Sequence, residues 1–473
     1  MIQVDLNWLS QILKTPVEKA SDKQKSQTVL QISTDSRRLV PGQVFLALKG
    51  PNFDGHKFIQ QVADKGAIAV IVDSLQEVEI PQLVVPDTLK ALGALGAAVA
   101  ESVAPKTIAI TGSVGKTSVK EMCAAILATK GKVLATAGNF NNEIGVPLTL
   151  LRLEPEHEYA VVELGANHIG EIANTTRFAK PDVAILNNVA EAHLEGFGSL
   201  AGVVQAKGEI FEGLGENGVA IVNGDSEFKQ TWLNSLATQF ENKSGHVIEF
   251  SLNDECQNPD TFSACCLVLD KWGRPGFELC YQGQKARIQL NVAGRHNVAN
   301  ALAAAAACYA LGASFDEIAR GLSNMSAVGG RVTLNPVSES LLIIDDSYNA
   351  NVQSVKAAIE LLTSYQATTI LVLGDMAELG QEARRLHQEV GQYALDQGLD
   401  HLYSFGVLSQ EASEVFEQRG RHFSSKQSLI DSINQRIHQA KEAEGEEAMV
   451  ILVKGSRSAK MELVVEQLAD DNR

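Results

Sequence analysis

The residues Thr111-Gly112-Ser113-Val114-Gly115-Lys116-Thr117-Ser118 put two glycines, one lysine and several hydroxyl groups into a single short stretch. That set suits phosphate. Glycines let the backbone come close to an anion, a helix N-terminus directly after them offers unpaired N–H groups, Lys116 adds a full charge, and the Thr117 hydroxyl can bind Mg²⁺. The expected ligand is ATP. The ordinary phosphate loop has a glycine five residues before its second one, and Ile110 stands there instead, so the loop is a shortened variant.

Further candidates for ATP chemistry are the groups that could hold magnesium, which takes oxygen ligands. Glu163 ends the apolar run Tyr159-Ala160-Val161-Val162-Glu163-Leu164, where a carboxylate is costly unless a cation or partner compensates it. A strand-end glutamate that simply reaches solvent is the alternative. His193 follows the next apolar run and, taken alone, reads as a structural histidine. Lys207, within Gln205-Ala206-Lys207-Gly208-Glu209-Ile210, lies on a helical pattern and, taken alone, reads as a solvated side chain.

The elements that must position these groups follow an α/β rhythm. Thr107-Ile108-Ala109-Ile110 reads as a buried strand leading into the loop, and Val119, Met122, Cys123, Ile126 and Leu127 form one apolar face of a helix after it. Strand-like runs at 133–135, 159–164, 183–186 and 219–222 alternate with helical patterns, which implies a parallel sheet covered by helices. A plainer β stretch spans about 246–292, with Tyr281-Gln282-Gly283-Gln284 as a hairpin turn, and Asn297 to Leu311 reads as a long alanine-rich helix. Strand-like runs at 43–48, 68–72 and 83–85, then an alanine-rich helix from about Leu89, occupy the first hundred residues. In the last part, runs at 341–346, 369–375 and 449–453 each end in polar or glycine residues, as ligand-facing strand ends do in open α/β sheets. Boundaries are expected near Ser102–Lys106 and Val328–Gly330, giving domains 1–104, 105–328 and 329–473, in keeping with 473 residues at about 100–200 per domain.

Composition narrows the function. A net charge of −17 argues against a nucleic-acid partner, whose phosphates need clustered Lys and Arg. The N-terminus lacks the basic and apolar segments of a secretory signal, and no apolar run has the length of about 18 residues needed to span a membrane. Six cysteines without Cys-x-x-Cys spacing read as reduced core residues of a cytoplasmic protein.

Taken together, these motifs resemble the Mur ligases, ATP-dependent amide-forming enzymes of peptidoglycan synthesis, over nearly the whole chain. The shortened loop is similar to theirs, and Gly138-Asn139-Phe140-Asn141-Asn142-Glu143-Ile144-Gly145-Val146-Pro147 is similar to their substrate-contacting segment. Within the family, Ser33-Thr34-Asp35-Ser36-Arg37, Phe53-Asp54-Gly55-His56, Asp345 to Asn351 and Leu373 to Gly380 resemble the members that add D-alanyl-D-alanine to UDP-N-acetylmuramoyl-tripeptide. The Asp-Asn-Pro-Arg motif of the sister enzymes that add the third amino acid is missing, and Val352 replaces the proline that usually follows Asn349-Ala350-Asn351.

The resemblance implies three α/β domains: an N-terminal one that binds UDP-muramoyl peptide, a central ATPase-like parallel sheet and a C-terminal Rossmann-like lid. It implies Gly112, Ser113, Val114, Gly115, Lys116, Thr117 and Ser118 on the ATP phosphates, Asn297 and Asn300 at adenine, Asp346 at ribose and Arg331 as a charge-neutralising group from the lid. Thr117, Glu163, His193 and a carbamylated Lys207 would serve magnesium. Ser36, Arg37, Asn139, Asn142, Tyr348, Asn349, Lys454 and Ser456 would contact the other substrates. Lys116, Lys207 and Arg331 would be the catalytic groups, a monomer is the implied state, and the tripeptide's third residue stays open between diaminopimelate and lysine.

Overall fold

The computed structural model describes residues 1–190, 194–442 and 448–473. Three sheets organise the chain, and in each the strand ends bear on where polar side chains can meet.

The first sheet runs in the order Val17–Glu18, Gln82–Val84, Ala69–Val72, Val44–Leu46, Ile32–Ser33, parallel except for its first strand. The helix Thr88–Val103 follows, its first turn capped by Asp87, whose carboxylate accepts from the Leu89 and Lys90 amides. Gly93 and Gly96 bring this helix close to its neighbours: a Cβ on Gly93 would lie 2.4 Å from the Phe178 ring, and one on Gly96 2.8 Å from the Pro147 backbone. A single apolar core therefore runs from Leu6, Val44, Leu92 and Leu95 into Val146, Leu150 and Ile172 of the second unit.

The second sheet has the order Val133–Ala135, Tyr159–Glu163, Lys106–Thr111, Val183–Leu186, Val219–Asn223, His246–Ser251, Thr261–Leu269, Pro275–Tyr281, Gln284–Gln289. It is parallel up to Thr261–Leu269 and antiparallel beyond, with the expected turn pairing Tyr281 with Gln284. Lys106–Thr111 lies between the strands that carry Glu163 and Leu186, with Ile110 opposite Glu163 and Thr111 opposite Leu186. The chain crosses over in both directions from this central strand, so loops diverge at its C-terminal end and leave a crevice. Along it, Ile108 and Ile110 face one core while Ala109 faces the other, because side chains alternate across a strand and both faces are covered.

The helix Lys116–Leu127 buries Val119, Met122, Cys123, Ile126 and Leu127, each such burial contributing roughly 1.5–3 kcal/mol. Its partner is the helix His296–Ala310, whose alanines from 303 to 307 are all buried; small side chains let it pass closely between its neighbour and the sheet. Among the described residues no helix is long and apolar enough to cross a membrane.

The third sheet has the order Thr333–Pro336, Leu341–Asp346, Met449–Lys454, Thr368–Gly374, His401–Phe405, Gly420–Phe423, parallel apart from the first strand. Leu342 and Ile344 face one core and Leu341 and Ile343 another. The helix Val352–Thr363 is capped by Asn351, whose side chain accepts from the Ser354 amide at 2.9 Å. Val352 takes the first helical position, where proline is favoured because its N–H is dispensable and its fixed φ already suits a helix; valine fits there without loss of a hydrogen bond.

The cysteines correct the expectation of six reduced core thiols. Cys123 and Cys308 are buried as expected, but Cys256 and Cys280 form a disulfide, Cys265 is half-buried and Cys266 is exposed. The disulfide partners stand 24 residues apart and meet only through the fold of the hairpin, so spacing held no trace of them.

Candidate active site

The loop at Thr111 opens a cleft of about 740 Å³ between the second and third sheets. Gly115, at φ +82, begins the helix Lys116–Leu127, which has no side-chain cap among the described residues, so its first N–H groups stay available to an anion. A Cβ on Gly115 would sit 2.5 Å from Asn300 Oδ1 and 2.7 Å from Asn187 Nδ2. The loop is held from behind by the strand-end pair Asn187 and Asn188. The Val114 amide donates to Asn188 Oδ1 at 2.8 Å, and both asparagine amides donate to the Val114 carbonyl.

Lys116 folds back on its own loop, donating to the Gly112 carbonyl at 2.7 Å. Burial pushes its amine below the ordinary lysine value; Glu163 works against that and Arg331 adds to it. The loop amides and this amine together suit a phosphate.

Glu163 is 3% exposed and is held rather than solvated, which decides between its two sequence readings. Thr117 Oγ1 donates to its Oε2 at 2.9 Å and Asn141 Nδ2 to its Oε1 at 2.8 Å. The Thr117 hydroxyl and the Glu163 carboxylate are adjacent oxygen donors in a buried place, the donor type a hard divalent cation takes. His193 lies outside the described residues.

Lys207, on the helix Leu200–Gly208 capped by Ser199, is 2% exposed and does not behave as a solvated side chain. Its Nζ sits 5.3 Å from the centre of the Phe197 ring. Burial, reinforced by the Lys116 charge, pulls its amine down to about 7 against the opposing pull of Glu171 and Glu209. Two residues on, Glu209 accepts from the Gly170 and Ala173 amides at the start of the helix Glu171–Ala179.

Asn297 and Asn300 share a buried face: Asn297 Nδ2 donates to the Ala293 carbonyl, Asn300 Nδ2 to Asn297 Oδ1, and Asn187 Nδ2 to Asn300 Oδ1 at 3.0 Å. Both line the cleft beside the glycine loop, as do Asn139 and Asn142. Asn142 also accepts from the Gly145 amide and so shapes its own turn.

The opposite wall comes from the third sheet. Arg331, Asp346, Tyr348, Asn349, Lys454 and Ser456 all line the cleft. The Arg331 guanidinium stacks on the Tyr348 ring at 4.1 Å, with Arg457 5.9 Å from the same ring. Asp346 and Lys454 are register partners on adjacent strands and form an ion pair, and Lys454 Nζ also donates to the Asn349 carbonyl at 3.0 Å. Lys454 is 2% exposed, so its charge is committed to Asp346 rather than open to a ligand. His296, between the two walls, is held below the usual histidine range by burial.

Ser36 and Arg37 are not brought to this cleft. Arg37 forks onto Asp35 with two contacts of 2.9 Å, holding that carboxyl at about 2, and Lys65 Nζ donates to the Ser36 carbonyl at 2.8 Å. Sequence reasoning gave no individual role to Asn141, Asn187, Asn188, His296 or Arg457. Each stands within two residues of a segment already singled out, but only the spatial partner distinguishes it.

The chain matches the family described as Mur ligase family, catalytic domain, over residues 28–130; Mur ligase middle domain over 110–308; and Mur ligase, glutamate ligase domain, over 330–457. It is similar to the UDP-N-acetylmuramoyl-tripeptide--D-alanyl-D-alanine ligase of Escherichia coli (strain K12), at 46% identity covering 100% of this chain and 99% of the relative. Its fold is similar to a crystal structure of MurF from Acinetobacter baumannii, with a TM-score of 0.91, 35% identity and 99% of both chains covered. It also resembles MurF ligase from Thermotoga maritima in complex with ADP, with a TM-score of 0.80, 26% identity, 96% of this chain and 99% of the other.

Proposed function

The chain belongs to the Mur ligase family, and from that premise we propose that it joins D-alanyl-D-alanine to UDP-N-acetylmuramoyl-tripeptide at the expense of ATP, in peptidoglycan synthesis. The observation that carries this reading is the meeting of Lys116, Thr117 and Glu163 on one wall with Arg331 and Tyr348 on the other around a single cleft. The domains are taken as 1–104, 105–328 and 329–473, and the protein as a cytoplasmic monomer without a nucleic-acid partner.

The terminal carboxylate of the tripeptide takes the γ-phosphoryl group of ATP, leaving ADP and an acyl phosphate. The amine of D-alanyl-D-alanine then attacks the acyl carbon and phosphate departs. Negative charge gathers on the transferring oxygens in both steps, and preorganised cations placed where that charge develops are commonly the largest catalytic factor. Lys116 supplies one from the loop. Arg331 supplies another from the facing domain, held in place by the Tyr348 ring. Asn297 and Asn300 face adenine, Asp346 the ribose, and Asn139, Asn142, Asn349 and Ser456 the peptide substrates. Ser36 and Arg37, on the first domain, are assigned to the uridine diphosphate end.

Thr117 and Glu163 would hold Mg²⁺, with His193 and a carbamylated Lys207 in support, and the ion would supply further positive charge at the phosphates. Carbamylation needs a neutral amine to attack CO₂, forming an N–C bond and releasing one proton. A Lys207 held at about 7 supplies that neutral form near physiological pH.

Phosphate release measured with each substrate omitted in turn tests the proposal. Release should require ATP, UDP-muramoyl tripeptide and D-alanyl-D-alanine together. Release that ignores the last two would mean a nucleotide-driven switch instead. Lys207→Ala should lose most turnover with the fold intact, and wild type in CO₂-depleted buffer should regain activity on adding bicarbonate; Lys207→Ala should not.

A further inference from the structure

Far along the second sheet from its central strand, at the antiparallel end, four cysteines collect. Among the described residues, Cys256, Cys265 and Cys280 hold their sulfurs within 4.8 Å of one another, and Cys265, Cys266 and the Glu278 carboxylate make an overlapping group at the same range. The register explains the first cluster. Cys265 pairs with Glu278 and Ser263 with Cys280, so Glu278 and Cys280, two residues apart, stand on one face with Cys265 across from them. The register shifts between Cys265 and Val268, and Cys266, at φ +54, turns within that bulge back toward Cys265. Cys256 reaches in from the preceding loop at φ +62.

Cys265 Sγ lies 3.8 Å from Cys280 Sγ and 3.5 Å from Glu278 Oε2. Four sulfurs arranged tetrahedrally about 2.3 Å from a zinc ion stand about 3.8 Å apart, so Cys265 and Cys280 already stand as two ligands of one ion would, while Cys256, bonded to Cys280, has to move off it once the disulfide opens. Cys265 is half-buried and Cys266 exposed, so an ion could enter from solvent. Lys285 Nζ, 2.8 Å from Glu278, offsets part of the negative charge that thiolates would bring.

We propose that, with the Cys256–Cys280 disulfide reduced, Cys256, Cys265 and Cys280 bind one soft divalent cation, zinc fitting best, with the fourth position filled from Cys266 or Glu278. Opening the disulfide with a dithiol takes two electrons and two protons from that dithiol, which becomes a disulfide; with a phosphine the two electrons come from phosphorus and the two protons from water, whose oxygen ends in the phosphine oxide, and either route yields two thiols. Metal binding then releases one proton from each ligating thiol. The ion would tie the 252–260 loop to the hairpin Thr261–Tyr281, whose far turn meets the third domain where Tyr365 Oη donates to the Trp272 carbonyl at 2.8 Å.

The test uses the full-length protein, reduced with a phosphine and freed of metal, then titrated with zinc chloride or cobalt chloride. One metal per chain by elemental mass spectrometry, with sulfur-to-cobalt charge-transfer absorption, is expected. Cys265→Ser and Cys256→Ser should each weaken binding by more than about 100-fold, beyond what loss of a supporting outer group causes. Cys123→Ser, in a separate buried core, should bind like wild type. Should Cys265→Ser fail to fold, Cys256→Ser on the loop carries the test. Substoichiometric metal, a cobalt spectrum without the thiolate band, or unchanged binding in a folded Cys256→Ser variant would overturn the proposal.

Discussion

The second sheet meets its two neighbours in opposite ways. Toward the first domain the seam is apolar and continuous: Leu92 and Leu95 share a core with Val146 and Leu150, and two glycines admit Pro147 and Phe178 to backbone distance. Toward the third domain the seam is a cleft lined by asparagines, lysines, arginines and acids, with Ala293 and Trp272 as the apolar points that join the third domain's core. Close-packed cores do not slide, whereas polar walls that meet through a ligand can part and close. One seam is packed shut, and the other is a polar-walled cleft.

This contrast makes predictions with distinct readouts. The largest effect belongs to the polar seam: Lys116→Met should lower kcat about 10³-fold, measured by phosphate release, a loss far larger than any change in Tm can explain. Arg331→Ala should cost about 10²-fold in kcat with only a small fall in Tm from the lost stacking on Tyr348, because it removes one cation from the facing wall. Equal turnover in either variant would break the assignment of that seam to catalysis. Gly96→Val should do the reverse: its Cβ meets the Pro147 backbone, so calorimetry should show destabilisation of about 1–3 kcal/mol with KM for ATP unaltered. A kinetic effect there would show that the apolar seam is not the fixed one.

The smallest effect concerns pH. His387 is buried in the third domain, accepting from the Met376 amide at 3.0 Å and facing the Ala383 carbonyl, and burial lowers its pKa. The unfolded chain takes up that proton at about 6.5 while the folded domain resists it, so acidification favours unfolding. Stability is therefore fully present above about 6.5 and should fall below it by at most about 1.4 kcal/mol per pH unit from this group. His387→Gln should flatten that slope; denaturant midpoints across pH 5 to 8 check it.

Much of this architecture was legible because its signals are local. A buried strand, a glycine loop and a 3.6-residue apolar face lie side by side between 107 and 127, and the expected hairpin turn at Tyr281 is where the strands reverse. What escaped depends on pairs far apart in sequence. Asn187 and Asn300 are 113 residues apart, Asp346 and Lys454 108, and nothing in either segment alone says that they meet. Lys207 shows the same limit: its helix has a lysine like many others, and only the packing of Phe197 and its neighbours removes it from water. Lys454 was legible as a residue of the cleft but not as the partner of Asp346, since a lysine at a strand end carries no mark of where its charge will be spent.

Gly115 deserves a pharmacological reading. The left-handed backbone there already disfavours other residues, and a side chain would have to push apart Asn187 and Asn300, which join the loop to the helix His296–Ala310. A compound anchored on the backbone at this point would press on a position where every substitution carries backbone strain and a side-chain clash, so resistance would arise more cheaply elsewhere in the cleft.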